Sequence, residues 1–156
     1  NLGVDSFFVE PGDDLWPIVT DENGNLNQEL SNEKIEGIEG EIGDAVPVVC
    51  GFLAETPDGT LTTLGRGGSD TTAMILGRLL GAEEVVIVTD VEGIMTGDPT
   101  SVEDARSVES ITVNEMQDLS IRGAKVVAPS ALNHKRSDMN VRIVHHKHGD
   151  LRANGS

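Results

Sequence analysis

Cysteine occurs once in the 156 residues, at Cys50, so no disulfide can close within the chain. That suits a reducing compartment, and the expected location is cytoplasmic. No apolar run is long enough to span a bilayer, and no basic segment followed by an apolar stretch opens the chain. Neither membrane insertion nor secretion is expected. Lysine is scarce, with only Lys34, Lys125, Lys135 and Lys147. Against 11 basic residues stand 27 acidic ones, a net charge of −16. That balance argues against broad-surface binding of nucleic acid. The acidic residues are spread along the chain and read as a solvated surface. They suit a salt-tolerant source as well as an ordinary acidic bacterial or archaeal one. Internal repeats, low-complexity stretches and the Gly-x-x-x-x-Gly-Lys-Ser/Thr string of P-loop enzymes are missing too.

What is present fits one domain or a large piece of one. The start at Asn1 rather than Met reads as a cut or processed fragment. Residues 10–30 are rich in Asp, Asn, Gly and Pro and read as a loop, with a short strand near Pro17-Ile18-Val19. Leu30, Ile35, Ile38 and Ile42 recur at helical spacing and predict a helix over 32–43. The apolar runs 46–50 and 85–89 read as strands buried on both faces, as in a parallel sheet. Pro57-Asp58-Gly59 between two β-prone runs predicts a hairpin over 52–63.

Helices are expected over 71–80, closed by Gly81, and from a Thr112/Glu115 capping box to near Gly123. Another opens at Pro129, and 141–145 is the last strand. Strands alternating with helices predict a three-layer αβα domain. Its mainly parallel sheet would use 46–50, 85–89 and 141–145, with helices on both faces.

Gly65-Arg66-Gly67-Gly68-Ser69-Asp70 is the most informative stretch. Its glycines would let the backbone approach a ligand closely. The turn leads into a helix, whose free N–H groups favour an anion. Arg66 can hold a carboxylate or phosphate through two parallel hydrogen bonds. Ser69 can cap the helix or donate to a ligand, and Asp70 can orient a lysine or a metal. A capped tight loop without a ligand is the plainer alternative. The dinucleotide fingerprint fails, because Asp70 stands where its third glycine belongs.

The string Thr62-Thr63-Leu64-Gly65-Arg66-Gly67-Gly68-Ser69-Asp70-Thr71-Thr72-Ala73 resembles the signature of aspartokinases, in the amino-acid kinase superfamily. Acetylglutamate, uridylate and carbamate kinases share that fold. Val46 to Phe52 is similar to the family's strand ending in Gly-Phe. Thr89 to Ile94 with Asp98-Pro99 resembles its nucleotide loop, and Gly123-Ala124-Lys125-Val126 its lysine turn. Residues 46–127 match well, 128–148 loosely, and 1–45 in outline. The resemblance implies that 1–148 is the C-terminal portion of a carbamate kinase-like catalytic domain, and that 149–156 is a linker or tail.

It also implies roles. Phe52, Arg66 and Ser69 would line the aspartate pocket, with Arg66 on a substrate carboxylate. A core residue at a strand end is the plainer reading of Phe52. Asp70 would orient a catalytic lysine and the transferring phosphoryl group. Thr89 and Asp90 would contact adenine and ribose, Asp98 would lie beside the nucleotide, and Lys125 would reach the phosphates. ATP with Mg²⁺ would phosphorylate the side chain of L-aspartate, the first step toward lysine, threonine and methionine. Met95 and Thr100 depart from the family's Tyr and Arg, and Val127-Ala128-Pro129 from Leu-His-Pro. The first-strand Lys-Phe-Gly-Gly-Ser is missing, so one copy of this chain should be inactive alone. It would act within a homo-oligomer or beside a chain carrying the missing half.

Two other functions fit the same residues: a nucleotide- or aspartate-binding subunit without catalysis, and a kinase for another small carboxylate. His145-His146-Lys147-His148 has no partner ligand at a recognisable spacing, so no metal site is expected.

Overall fold

The computed structural model describes residues 3–90, 93–98, 100–121 and 126–147. Six strands and four helices lie along them. They are β1 (Ser6–Val9), α1 (Gln28–Ile42), β2 (Val46–Val49), β3 (Leu53–Glu55) and β4 (Leu61–Thr63). There follow α2 (Gly68–Leu79), β5 (Glu84–Thr89), α3 (Val113–Ile121), α4 (Pro129–Leu132) and β6 (Asn140–His145).

The strands pair two by two. β1 runs parallel to β2, β5 parallel to β6, and β3 with β4 forms the antiparallel hairpin expected at Pro57-Asp58-Gly59. One sheet built from 46–50, 85–89 and 141–145 is therefore not what forms among the described residues. The sequence reading missed β1, whose four residues lie just before the Pro- and Gly-rich stretch. Nor are the strands buried on both faces. Val46 and Val48 are 49% exposed and Val88 is 53% exposed, while Val85 and Ile87 are buried. An apolar run reports β propensity, and burial of both faces needs neighbours that these residues lack.

Residues 10–30 are packed rather than loose. Trp16, Pro17, Ile18, Val19 and Thr20 are buried, and Val19 bridges Glu55 in parallel. The Trp16 indole N–H donates to the Ile18 carbonyl at 3.0 Å. The Ser31 hydroxyl accepts from the Val19 N–H at 3.1 Å, tying this segment to α1. α1 begins at Gln28, four residues before the expected start, because the Asn27 side chain caps it by accepting from the Leu30 N–H. The Thr112/Glu115 box forms as expected. The Thr112 N–H donates to Glu115 Oε2 at 2.9 Å, and the Glu115 N–H to Thr112 Oγ1 at 3.3 Å. α3 is described to Ile121, and Gly123 lies outside the described residues.

α2 joins the two halves of the core. Met74 packs with Val85, Ile87, Leu132 and Ile143, and the next residue, Ile75, packs with Trp16, Ile18 and Ile38. Residues adjacent on a helix point about 100° apart, so one helix can serve two cores. All of these side chains are buried.

Candidate active site

The site is assembled at the N-terminus of α2. The chain leaves β2, passes Gly51 and Phe52, makes the hairpin, and returns through the glycine turn into the helix. A Cβ on Gly51 would lie 3.4 Å from Ser69 Oγ, so the strand end and the first helical turn touch. Phe52 has φ +74°, and it is the only non-glycine residue at positive φ among the described residues. Bulky residues adopt that backbone only when their surroundings impose it, and such residues cluster at functional sites. The causes are visible. The Phe52 N–H donates to Thr72 Oγ1 at 2.9 Å, and the Phe52 carbonyl accepts from the Leu64 N–H at 2.9 Å. Thr72 in turn donates to the Gly68 carbonyl at 2.9 Å. Phe52 is 43% exposed, so the core-residue reading of it fails.

The glycines have reasons the sequence did not disclose. A Cβ on Gly67 would fall 2.1 Å from Ala128 Cβ, and one on Gly68 would fall 2.6 Å from the Phe52 ring. Protein packs where a ligand was expected to approach. Gly65 alone of the three has open space, at φ +71°. Gly67 caps α2 in the left-handed region without a side-chain cap bond, so Ser69 is not the cap; it sits inside the first turn, exposed.

Arg66 is exposed and makes no hydrogen bond or ion pair to a described residue. Asp70 is half-buried and its Oδ2 accepts from the Ala128 N–H at 3.2 Å. Thr71 Oγ1 and Ser130 Oγ, 3.2 Å apart, add a second link from α2 to α4. Phe52, Ser69 and Asp70 are thus brought together. Lys125 lies outside the described residues, three positions before the Ala128 that Asp70 holds.

Thr89 ends β5 and Asp90 follows it, at the carboxyl edge where ligands bind in parallel α/β sheets. Thr89 Oγ1 lies 3.5 Å from Asp90 Oδ1, and the Thr89 carbonyl accepts from the His146 N–H at 2.8 Å. The His145 and His146 rings stack there with centroids 4.5 Å apart. α2 starts where β2 ends and finishes where β5 begins, so the β5 carboxyl end lies toward the α2 N-terminus. Asp98 sits on a separate ribbon in which Met95 bridges Ser107. It accepts from Thr100 Oγ1 at 2.6 Å and from the Thr100 N–H at 2.8 Å. Those bonds, the hydroxyl's first, hold its carboxyl below the usual range. Among the described residues no group of three His, Cys, Asp or Glu could hold a metal ion. No helix there is long and apolar enough to cross a membrane.

The amino acid kinase family model matches residues 2–145. The chain belongs to the amino acid kinase family. It is 51% identical over 89 residues to aspartokinase 1 of Bacillus subtilis, covering 57% of this chain and 22% of that protein. It also superposes on Escherichia coli aspartokinase III, solved with aspartate and ADP, with a TM-score of 0.85. That match has 32% identity and covers 98% of this chain and 34% of the other. Clostridium acetobutylicum aspartate kinase gives a TM-score of 0.72 at 27% identity, covering 90% of this chain and 30% of that one. The chain thus spans about a fifth of the curated relatives' length and about a third of the solved ones'. The family fold explains the strand pairs: this is a partial αβα domain with mainly parallel strands and a hairpin.

Among residues that matter here, Thr72, Gly51 and Ala128 had been given no role by sequence reasoning. Thr72 stands in the motif string, and its β-branched hydroxyl one turn into the helix was the available signal.

Proposed function

We propose that residues 1–148 are the C-terminal portion of an aspartokinase catalytic domain, with 149–156 leading out of it. The intact protein would transfer a phosphoryl group from ATP to the side-chain carboxylate of L-aspartate. The observation that carries this reading is the Phe52–Ser69–Asp70 cluster at the α2 N-terminus, built on the string that aspartokinases resemble. Arg66 is free to take a carboxylate, and nothing described competes for its guanidinium. Phe52 and Ser69 would form the pocket beside it. Asp70, fixed to Ala128, would orient Lys125 toward the phosphates. Thr89, Asp90 and Asp98 would line the nucleotide.

Phosphoryl transfer needs positioning and charge neutralisation more than covalent chemistry from the protein. Mg²⁺ fits only as a companion of the nucleotide, since it is commonly held by one or two carboxylates plus phosphates and the described residues offer no fuller cage. Asp70, at the glycine turn, is the carboxylate that would help. When bound, the ion would screen the phosphate charge.

The test is ADP release by the full-length protein with ATP and L-aspartate, together with hydroxylamine trapping of the acyl phosphate. Release that depends on aspartate, and not on glutamate or succinate, supports the reading. ADP release indifferent to aspartate rejects it.

A further inference from the structure

We propose that the cavity between the 24–28 loop, α2 and α4 binds a small phosphate- or carboxylate-bearing molecule between Arg78 and His134. The cavity has a volume of about 400 Å³, enough for a metabolite rather than a water or two. Leu26, Leu64 and Ile75 give it apolar walls, and Gln28, Thr71, Ser130 and Asn133 line it with polar groups. It is separate from the α2 N-terminus, because Thr71, Ile75 and Arg78 mark one side of α2 running toward its far end.

The charge arrangement points to an anion. Arg78 and His134 are the lining groups that can carry charge, Arg78 always and His134 when protonated, in a chain of net charge −16. Neither side chain makes a hydrogen bond or ion pair to a described residue. Burial, and then the charge of Arg78, hold the His134 pKa below its ordinary value, so the imidazole favours its neutral form. A cation in the last turn of α2 is favoured by the helix dipole, which explains a charge at 78. It does not explain an imidazole in the same cavity with no carboxylate lining it. The nearby carboxylate of Asp21 is turned into its own loop, accepting from the Asn23 and Asn25 N–H groups and the Asn25 amide. An oxyanion bridging Arg78 and His134 would accept from the guanidinium and from the imidazole, whose protonation it would favour, with the Asn133 amide as a further donor.

The experiment is calorimetric titration of the full-length protein with inorganic phosphate and, separately, with malonate, in a buffer free of both. We expect one of the two to bind saturably, phosphate identifying a phosphoryl ligand and malonate a carboxylate. Arg78→Met and His134→Gln should each weaken that binding roughly tenfold, the loss expected for one charge-assisted contact. Arg66→Met, which removes the cation of the glycine turn, should leave it in place. Arg78→Lys keeps the charge and should retain part of the affinity, which guards against a folding defect in the methionine variant. Saturable binding of neither anion by the unaltered protein overturns the proposal. So does binding that survives intact in Arg78→Met or disappears in Arg66→Met.

Discussion

Gly67→Ala tests the central contact of the site. Two penalties arise there. The residue has φ +72°, and an alanine in the left-handed region costs about 1–2 kcal/mol. Its Cβ would also fall 2.1 Å from Ala128 Cβ, so the α4 segment or the helix start must move. Overpacking of that kind costs about 1–3 kcal/mol more. The expected loss is about 2–5 kcal/mol in all. Gly65→Ala is the control, because φ is +71° and nothing lies within 4 Å, leaving only the backbone penalty of about 1–2 kcal/mol. Ala128→Gly in the Gly67→Ala background should recover the steric part, giving a coupling energy of about 1–3 kcal/mol. Urea unfolding followed through the buried Trp16 measures these three variants and Ala128→Gly alone, which completes the cycle. If Gly67→Ala costs no more than Gly65→Ala, or the cycle shows no coupling, Ala128 does not seat on the glycine turn. The placement of 126–130 against α2 would then be wrong.

On the proposed function, Arg66→Ala should raise the aspartate KM roughly ten- to a hundredfold with little change in kcat, since one charge-assisted contact is worth about 1.5–3 kcal/mol in ground and transition states alike. Steady-state kinetics at saturating ATP checks this, and an unchanged KM rejects the assignment. Asp70→Asn should lower kcat while preserving stability, because the amide oxygen can still accept from the Ala128 N–H; Asp70→Ala should lose both, with about 0.5–1.5 kcal/mol of stability gone with the hydrogen bond. A stability loss for Asp70→Asn equal to that of Asp70→Ala would show that the charge, rather than the hydrogen bond, holds 126–128.

His134 should titrate below 6.5, since burial first and Arg78 second disfavour its protonated form. The unfolded chain then binds the proton more readily, so the stability His134 contributes is complete above pH 6.5 and is lost as pH falls from there through the folded pKa. Arg78→Met should raise the folded pKa, read from the His134 ring proton by NMR, and an unmoved resonance would show that the two side chains do not face each other.

Local chemistry was legible wherever it was self-contained. Thr112 and Glu115 satisfy each other's N–H groups three residues apart, so spacing alone foretold them. Pro57-Asp58-Gly59 foretold the hairpin for the same reason: the turn's needs are met by its own residues. α1 was misplaced because its cap is an asparagine inside a stretch of asparagines, and composition does not say which of them turns its side chain inward. The glycine turn shows the deeper limit. Gly67 and Gly68 were read as room for a ligand, while their causes are Ala128 and Phe52, one of them 61 residues away in sequence. The strained backbone of Phe52 was equally hidden, since it follows from hydrogen bonds to Thr72 and Leu64 that only the folded chain brings within reach.

The position of the site follows from the double burial of α2. Met74 and Ile75 commit the helix to both cores, so neither half can shift without moving the helix that carries Ser69 and Asp70. Phe52 is tied to that helix through Thr72, and the segment after Lys125 is tied to it through Asp70 and Gly67. A group that must be placed within a fraction of an ångström is best attached to the most constrained element available. Two of these attachments join a backbone N–H to a side-chain oxygen of α2, and the third is the absence of a side chain at Gly67. Arg66 is the exception, exposed and untied to any described residue. An exposed cation beside a fixed base is what the proposed carboxylate contact of Arg66 requires.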